Sequence, residues 1–436
     1  MTRLGRRTGA GDSGPGRLAA RAVSAGVLAA VVLAAAACSS GSSGGGAGTS
    51  SAPGAGASSA APGGGASASG GDSGGASGGA AGAAIEVGSI IDLTGVDATS
   101  GAAQQAGMGY FLQQLNASGG INGHPLKVTY CDAASTPQGA AQCAQQFAGM
   151  SSHLVITQTS DPPTRGALPY LTKDVVVDVD PILLPKAGTD VFQATAPGSV
   201  IAAALVSAVK KSGLHTIGVL YTTDTSGTHQ LEAAQAAAKT AGITVVSQPQ
   251  TAGVTDVTPQ LLKLKSMGAD VFYLASIGAN TAAAVSSYKT LGLTTPVVAG
   301  AAAVTNAFLK SLPSGIPANL YGTSELIGDT TGLPAPVAQA WSQYRTAFTK
   351  YASQPVDTQT TSAIYVGCVA EAALKASPTF AVSDMAHALT VGTIPCLGVQ
   401  EKFSIPGLNV VAGQPAAVTK AGSSAAAGWG PYQGNL

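Results

Sequence analysis

Ile85-Glu-Val-Gly-Ser-Ile-Ile-Asp-Leu93 is an apolar run that reads as a buried strand, and it opens the stretch Ile85 to Cys131 that decides the fold. Thr94-Gly95 begins a small polar loop that ends near Gly101. Met108, Phe111, Leu112 and Leu115 follow at the i, i+3, i+4, i+7 spacing of one buried helix face. Ser118-Gly119-Gly120-Ile121-Asn122-Gly123 stops that helix, because Gly and Asn accept the left-handed backbone of a helix C-cap and tight turn. Leu126 to Tyr130 is then a second strand. Strand, polar loop, helix, glycine turn and strand make one βαβ unit. In such units a ligand can sit at the loop beyond the strand's carboxyl end, against a helix N-terminus.

Upstream, Arg3, Arg6, Arg7, Arg17 and Arg21 form a basic head, Ala22 to Ala37 is apolar and small, and Cys38 follows. This is the pattern of an export signal. The apolar part is short for a membrane span, which takes roughly 20 residues. A cysteine directly after Ala35-Ala36-Ala37 resembles a bacterial lipoprotein signal, in which that cysteine is acylated and becomes the new N-terminus. The usual pattern has leucine three residues before the cysteine; here Ala35 stands there and the leucine is Leu33. Residues 1–38 are thus read as a leader. Residues 39–84 are Gly, Ser and Ala with little else and bury too little apolar surface to order themselves. Such a coil of about 46 residues spans on the order of 40 Å, a tether for a head held near a membrane.

The whole chain carries no net charge. Removing the leader takes away five arginines and Asp12, which leaves 16 basic against 20 acidic residues and a net charge of −4. That balance argues against nucleic acid, which demands clustered Lys and Arg. Cys38 is assigned to the lipid. Cys131, Cys143, Cys368 and Cys396 allow three pairings, and the neighbours in sequence, 131–143 and 368–396, are the expected disulfides of an oxidising compartment. Metal ligation would need tighter spacing and histidine partners that five scattered histidines do not supply.

Strands and helices alternate from Ile85 almost to the end, so the fold class is α/β with mostly parallel sheets flanked by helices. Leu154 to Thr157, Val175 to Val179, Thr216 to Tyr221, Asp270 to Ala275 and Val297-Val298 read as further strands. At roughly 350 residues the ordered head exceeds one comfortable core, so two lobes are expected.

Four segments then resemble the branched-chain amino-acid-type periplasmic binding proteins. They are Ile90-Ile-Asp-Leu-Thr-Gly95 with Leu115-Asn-Ala-Ser-Gly-Gly-Ile-Asn-Gly123, Val219-Leu-Tyr-Thr-Thr-Asp-Thr-Ser-Gly227, and Thr251-Ala-Gly-Val-Thr-Asp256 followed by Leu261-Leu-Lys-Leu-Lys265 and Gly268-Ala-Asp270. The likeness runs from about Ile85 to Glu325. It weakens afterwards, though Ala363-Ile-Tyr365, read as preceding a helix, and Gly398-Val-Gln-Glu-Lys-Phe403 remain familiar. The resemblance implies a two-lobed, Rossmann-like type I solute-binding lipoprotein of an ABC importer. It also implies a monomer working with permease subunits, clamping a small molecule at a hinge of three crossovers. Those crossovers fall near Ala194, near Gly322 to Glu325 and near Pro395. Lobe 1 is then 85–194 with 325–394, and lobe 2 is 195–324 with 395–436. Neither cofactor nor metal is implied.

The family's ligand loops map onto Thr94, Gly95, Asp97, Thr99 and Ser100 after the first strand. They map next onto Thr159 and Ser160 at a helix start, with Asp161 read as its N-cap. Asp178 and Asp180 follow the fourth strand. The far lobe offers Asp224, Ser226, Ser276 and Asn280. Amino-acid binders of this family often have Tyr where Ser226 stands, and an acid for the ligand ammonium in the loop of Ser276 to Asn280; this chain has neither. The acids Asp97, Asp161, Asp178, Asp180 and Asp224, with Arg165 the nearest arginine, favour a neutral or cationic solute over an anion. Two other readings stand beside import: a sensor docking to a membrane receptor, and a wall-associated enzyme. The second lacks support from any Gly-x-Ser-x-Gly, His-Glu-x-x-His or phosphate-loop motif.

Overall fold

The apolar runs become two sheets. A computed structural model describes residues 82–325, 333–412, 414 and 416–436. The expected leader, Cys38 and all but the end of the 39–84 tether lie outside them. The first half reads β1 (Ile85–Ile91), α1 (Ala98–Ala117), β2 (Leu126–Asp132), α2 (Pro137–Phe147), β3 (Leu154–Gln158), α3 (Asp161–Ala167), β4 (Val175–Asp178) and β5 (Val191–Gln193). Its strands are all parallel, in the order β2-β1-β3-β4-β5. Every residue of β3 and β4 is buried, as expected for Leu-Val-Ile and Val-Val-Val runs covered on both faces. Helix α1 starts at Ala98, earlier than the loop ending at Gly101 suggested, and buries Met108, Phe111 and Leu115 as their spacing requires. The turn after it needs its glycines: Gly120 has φ +70°, and a Cβ there would lie 2.1 Å from the His124 carbonyl oxygen.

The chain then builds a second sheet from α4 (Gly198–Lys211), β6 (Thr216–Thr222), α5 (Thr225–Ala241), β7 (Thr244–Gln250), α6 (Thr258–Ser266), β8 (Val271–Ala275), α7 (Gly278–Thr290), β9 (Val297–Ala299), α8 (Asn306–Ser311) and β10 (Leu320–Glu325). Helices α9 (Ala335–Ala352), α10 (Thr358–Ala376) and α11 (Val382–Val391) return to the first lobe, where Trp341, Phe348, Val366 and Met385 join Met108, Phe111 and Phe192 in one core. Strands β11 (Ile394–Cys396), β12 (Val399–Phe403) and β13 (Val411–Ala412) form a small antiparallel sheet. Strands β14 (Ala416–Ala421) and β15 (Trp429–Pro431) finish the second sheet in the order β15-β14-β10-β9-β8-β6-β7.

Both expected disulfides are present, Cys131–Cys143 and Cys368–Cys396. The second shows why the third crossover is not near Pro395. Cys396 is tied to α10, and Ile394, Phe403 and Val411 are buried in the first lobe's core, with the Phe403 ring edge-on to Phe192 at 5.1 Å. The chain reaches the second sheet only at Ala416, where β14 runs antiparallel to β10, so the crossover lies beside Gln414. Ala363-Ile-Tyr365 does not precede a helix; it lies in the middle of α10. Among the described residues no helix is long and apolar enough to cross a membrane.

Candidate functional site

The carboxyl ends of both sheets' strands converge on one cavity of about 80 Å³. The first lobe contributes Asp97 from the loop after β1, Thr159 and Ser160 after β3, and Val179 to Ile182 after β4. The second contributes Ser226, His229 and Gln230 from α5, Ile277 before α7, and Ala301 and Ala302 after β9. Glu325 at the end of β10, and Thr358, Gln359 and Ser362 in the first turns of α10, complete the wall.

The cavity is small because the lobes touch across it. The Ala279 backbone N–H donates to the Val96 carbonyl at 3.1 Å, and Ser100 Oγ donates to the Ala302 carbonyl at 3.1 Å. Gly278 makes the first contact possible: its φ is +48°, and a Cβ there would lie 1.6 Å from the Val96 oxygen. This is a closed arrangement of the two lobes.

Of the residues expected to touch a ligand, Asp97, Thr159, Ser160, Asp180 and Ser226 line the cavity. The others lie outside its lining, and most have local tasks. Thr94 donates to Asp132 at 2.7 Å, and Gly95 turns the loop with φ +88°. The Thr99 hydroxyl is buried with no partner. Ser100 donates to Asp97 at 2.6 Å. Asp178 accepts from Thr157 at 2.6 Å and from the Asp180 N–H at 2.9 Å. Asp224 caps α5 by accepting the Gly227 N–H at 2.8 Å. Ser276 pairs with Thr281 at 2.9 Å, and Asn280 accepts the Gly253 N–H at 2.8 Å. The N-cap of α3 is Ser160; Asp161 is instead the first helical residue, and Arg165 Nε donates to it at 2.7 Å.

Sequence reasoning missed Gln104, Glu325, Thr358, Gln359 and Ser362. Gln104 sits on α1 and donates through Nε2 to Gln359 Oε1 at 2.7 Å. Glu325 carried a signal, as the lone acid ending the otherwise uncharged strand Leu320-Tyr-Gly-Thr-Ser-Glu325.

The site is acidic and buried. Burial pushes Asp97 up to about 8, with the nearby Asp92 charge adding to the rise. Burial likewise raises Glu325 to about 8, against the Ala196 N–H that lowers it. Burial holds Asp180 well above the usual carboxylate range, reinforced by the charges of Asp178 and Asp161. Among the described residues no lysine or arginine lines the cavity.

Two lobes, one sheet all parallel and the other largely so, enclosing a cavity at their strand tips define a solute-binding architecture. The sequence profile of the periplasmic binding protein family matches residues 84–422, and the chain belongs to that family. It is an extracytoplasmic, solute-binding family related to the amino-acid-binding proteins of ABC transporters, and not a family of enzymes. Solved structures share the fold. The branched-chain amino acid transporter substrate-binding protein LivJ from Streptococcus pneumoniae, in complex with isoleucine, is 20% identical, covers 80% of this chain and 100% of its own, and has a TM-score of 0.66. The leucine-binding protein LivK from Thermotoga maritima is 14% identical, with coverage of 77% and 95% and a TM-score of 0.67. An ABC transporter substrate-binding protein from Desulfitobacterium hafniense, in complex with Leu, is 20% identical, with coverage of 77% and 97% and a TM-score of 0.60. No curated protein matches the chain in sequence.

Proposed function

We propose that this protein captures a small solute between its lobes and hands it to an ABC importer. The observation that carries the reading is the cavity itself, built jointly from the strand tips of two sheets and closed by direct contacts between lobes. Open and closed forms interconvert, and a solute that touches both lobes shifts the population towards closure. The 1–38 leader exports the chain, acylation of Cys38 anchors it, and residues 39–84 tether a monomeric head at the membrane. Asp97, Thr159, Ser160, Asp180 and Ser226 contact the solute together with Gln104, Glu325 and Gln359; the remaining expected residues hold the loops in shape.

The relatives bind isoleucine and leucine, yet among the described residues this cavity is lined by three carboxyl side chains and one histidine, His229, with no lysine or arginine. That chemistry supports a neutral or cationic solute instead. Native mass spectrometry of the protein purified from its own cells tests the capture step, with one bound small molecule per chain expected. Uptake of that molecule in cells lacking the protein tests delivery; unchanged uptake contradicts import.

A further inference from the structure

The walls of the cavity offer acceptors that nothing among the described residues satisfies. Asp180 Oδ2 and Gln104 Oε1 are buried without a hydrogen-bond partner, on side chains that are 4% and 3% exposed. The hydroxyls of Ser226 and Thr358, on residues 2% exposed, and His229 Nδ1 are also unpartnered and can turn to either role. A buried acceptor left unsatisfied is costly, so these atoms point to a missing donor.

The loop after β4 cannot supply donors to a ligand anion. The Asp180 N–H is spent on Asp178 Oδ2 at 2.9 Å, and the Ile182 N–H on Asp180 Oδ1 at 3.0 Å. Pro181 has no N–H, and the Gly198 N–H, at the start of α4, is spent on the Pro181 carbonyl at 2.8 Å. At the hinge, the Ala196 N–H is spent on Glu325. A ligand carboxylate placed against this loop would meet the Asp180 carboxyl group and occupied amides, so the loop and hinge backbone would not compensate its burial. An ammonium or amidinium brings N–H donors to the orphaned acceptors and favours the ionised form of the acids beside it in a buried site. An apolar part of the wall is formed by Ile182, Ile201, Ala202 and Ile277, beside His229, Gln230 and Tyr273.

We propose that the cavity selects an organic cation: a protonated amine or amidinium on a compact apolar body, carrying no carboxylate. This rests on the solute-binding reading and sharpens it to a substrate class. Asp180 is the residue that sets the preference.

The test is calorimetry on the purified protein with four molecules of nearly equal shape: 3-methylbutylamine, leucine, 4-methylpentanamide and 4-methylpentanoate. The amine is expected to bind roughly tenfold or more tighter than leucine and the amide, the worth of one charge-assisted bond, with no heat from the acid. Leucine, the amide or the acid binding as tightly as the amine overturns the proposal and leaves solute binding standing. Silence from all four is resolved by native mass spectrometry after incubation with a small-molecule extract. A captured cation supports the proposal, a captured anion or neutral molecule overturns it alone, and no capture overturns both readings. Asp180→Asn keeps an oxygen for the Ile182 N–H and replaces the orphaned oxygen with a donor. For whichever cation binds, a loss of about tenfold or more is expected with the fold intact by circular dichroism. Unchanged affinity in that variant removes Asp180 from its assigned role and overturns the proposal.

Discussion

Glu325 accepts the backbone N–H of Ala196 at 2.8 Å, which ties the second crossover between the lobes to the first. Both residues are buried, and Glu325 also faces the cavity. One side chain thus joins the hinge to the binding site. Glu325→Ala leaves the Ala196 N–H unpaired, at a cost of about 1–3 kcal/mol. Glu325→Gln keeps an acceptor and should stay close to the parent. Urea unfolding of the two variants separates these outcomes; equal stability would show that the bond contributes nothing.

Closure depends on the missing side chain at Gly278. Its Cβ would fall on the Val96 carbonyl, so Gly278→Ala should prop the lobes apart while leaving each core untouched. Solute affinity should fall by roughly tenfold or more, the cost of shifting the population away from the closed form. Small-angle scattering with and without solute should show the variant failing to compact. Parent-like affinity would mean that closure does not use this contact.

Acidity should stabilise the empty protein. Burial raises Asp97 and Glu325 to about 8 and Asp92, Asp178 and Glu401 to about 7, and holds Asp180 well above its ordinary value; the Asp161 charge adds to the rise at Asp178 and Asp180, and Arg165 opposes it at Asp180. An acid whose folded pKa is raised holds its proton in the folded state after the unfolded chain has lost it, so its favourable contribution is complete below about 4 and drains away as pH climbs towards 8. Asp132 and Asp256 are shifted downward and act only below that window. The midpoint of thermal unfolding should therefore be higher at pH 5 than at pH 8. A midpoint that rises across this range would contradict the buried, protonated state of these groups.

The Cys368–Cys396 disulfide closes a separation of 28 residues within the first lobe's core. Chain-entropy arguments put its worth at roughly 3–4 kcal/mol. The Cys368→Ser, Cys396→Ser variant should lose about that much in denaturant, and hydrogen exchange should speed up in α10 and β11 before β6 or β8. Faster exchange in the second sheet instead would place these strands in the wrong lobe.

The beginning of the fold was plain in the sequence because each device there is local. Ile85 to Ile91 is a near-continuous apolar run, Met108, Phe111 and Leu115 keep helical spacing, and the Gly and Asn residues of the turn have few other uses. The later part was obscure for an equally physical reason. Helix α10 opens with Thr358-Gln-Thr-Thr-Ser362, which reads as loop. It is helical because Asp357 and Thr360 form a reciprocal capping box and α1 packs against its length. Of its buried polar residues Thr358, Gln359 and Ser362 face the cavity, so the feature that hid the helix also hid Gln359 and Ser362. The site's acid character was legible from Asp97 and Asp180. That Asp224 caps a helix, and Asp161 pairs with Arg165, required coordinates.

The loop after β4 has an evolutionary consequence. On the reading proposed above, its selectivity is stored in the main chain as much as in side chains, since Pro181 has no N–H and the amides of Asp180 and Ile182 are bound to aspartates. On that reading a single side-chain replacement leaves at least one of the loop's amides still occupied. A lineage moving towards amino acids would then have to rebuild the loop in several steps, passing through intermediates that hold neither kind of molecule well.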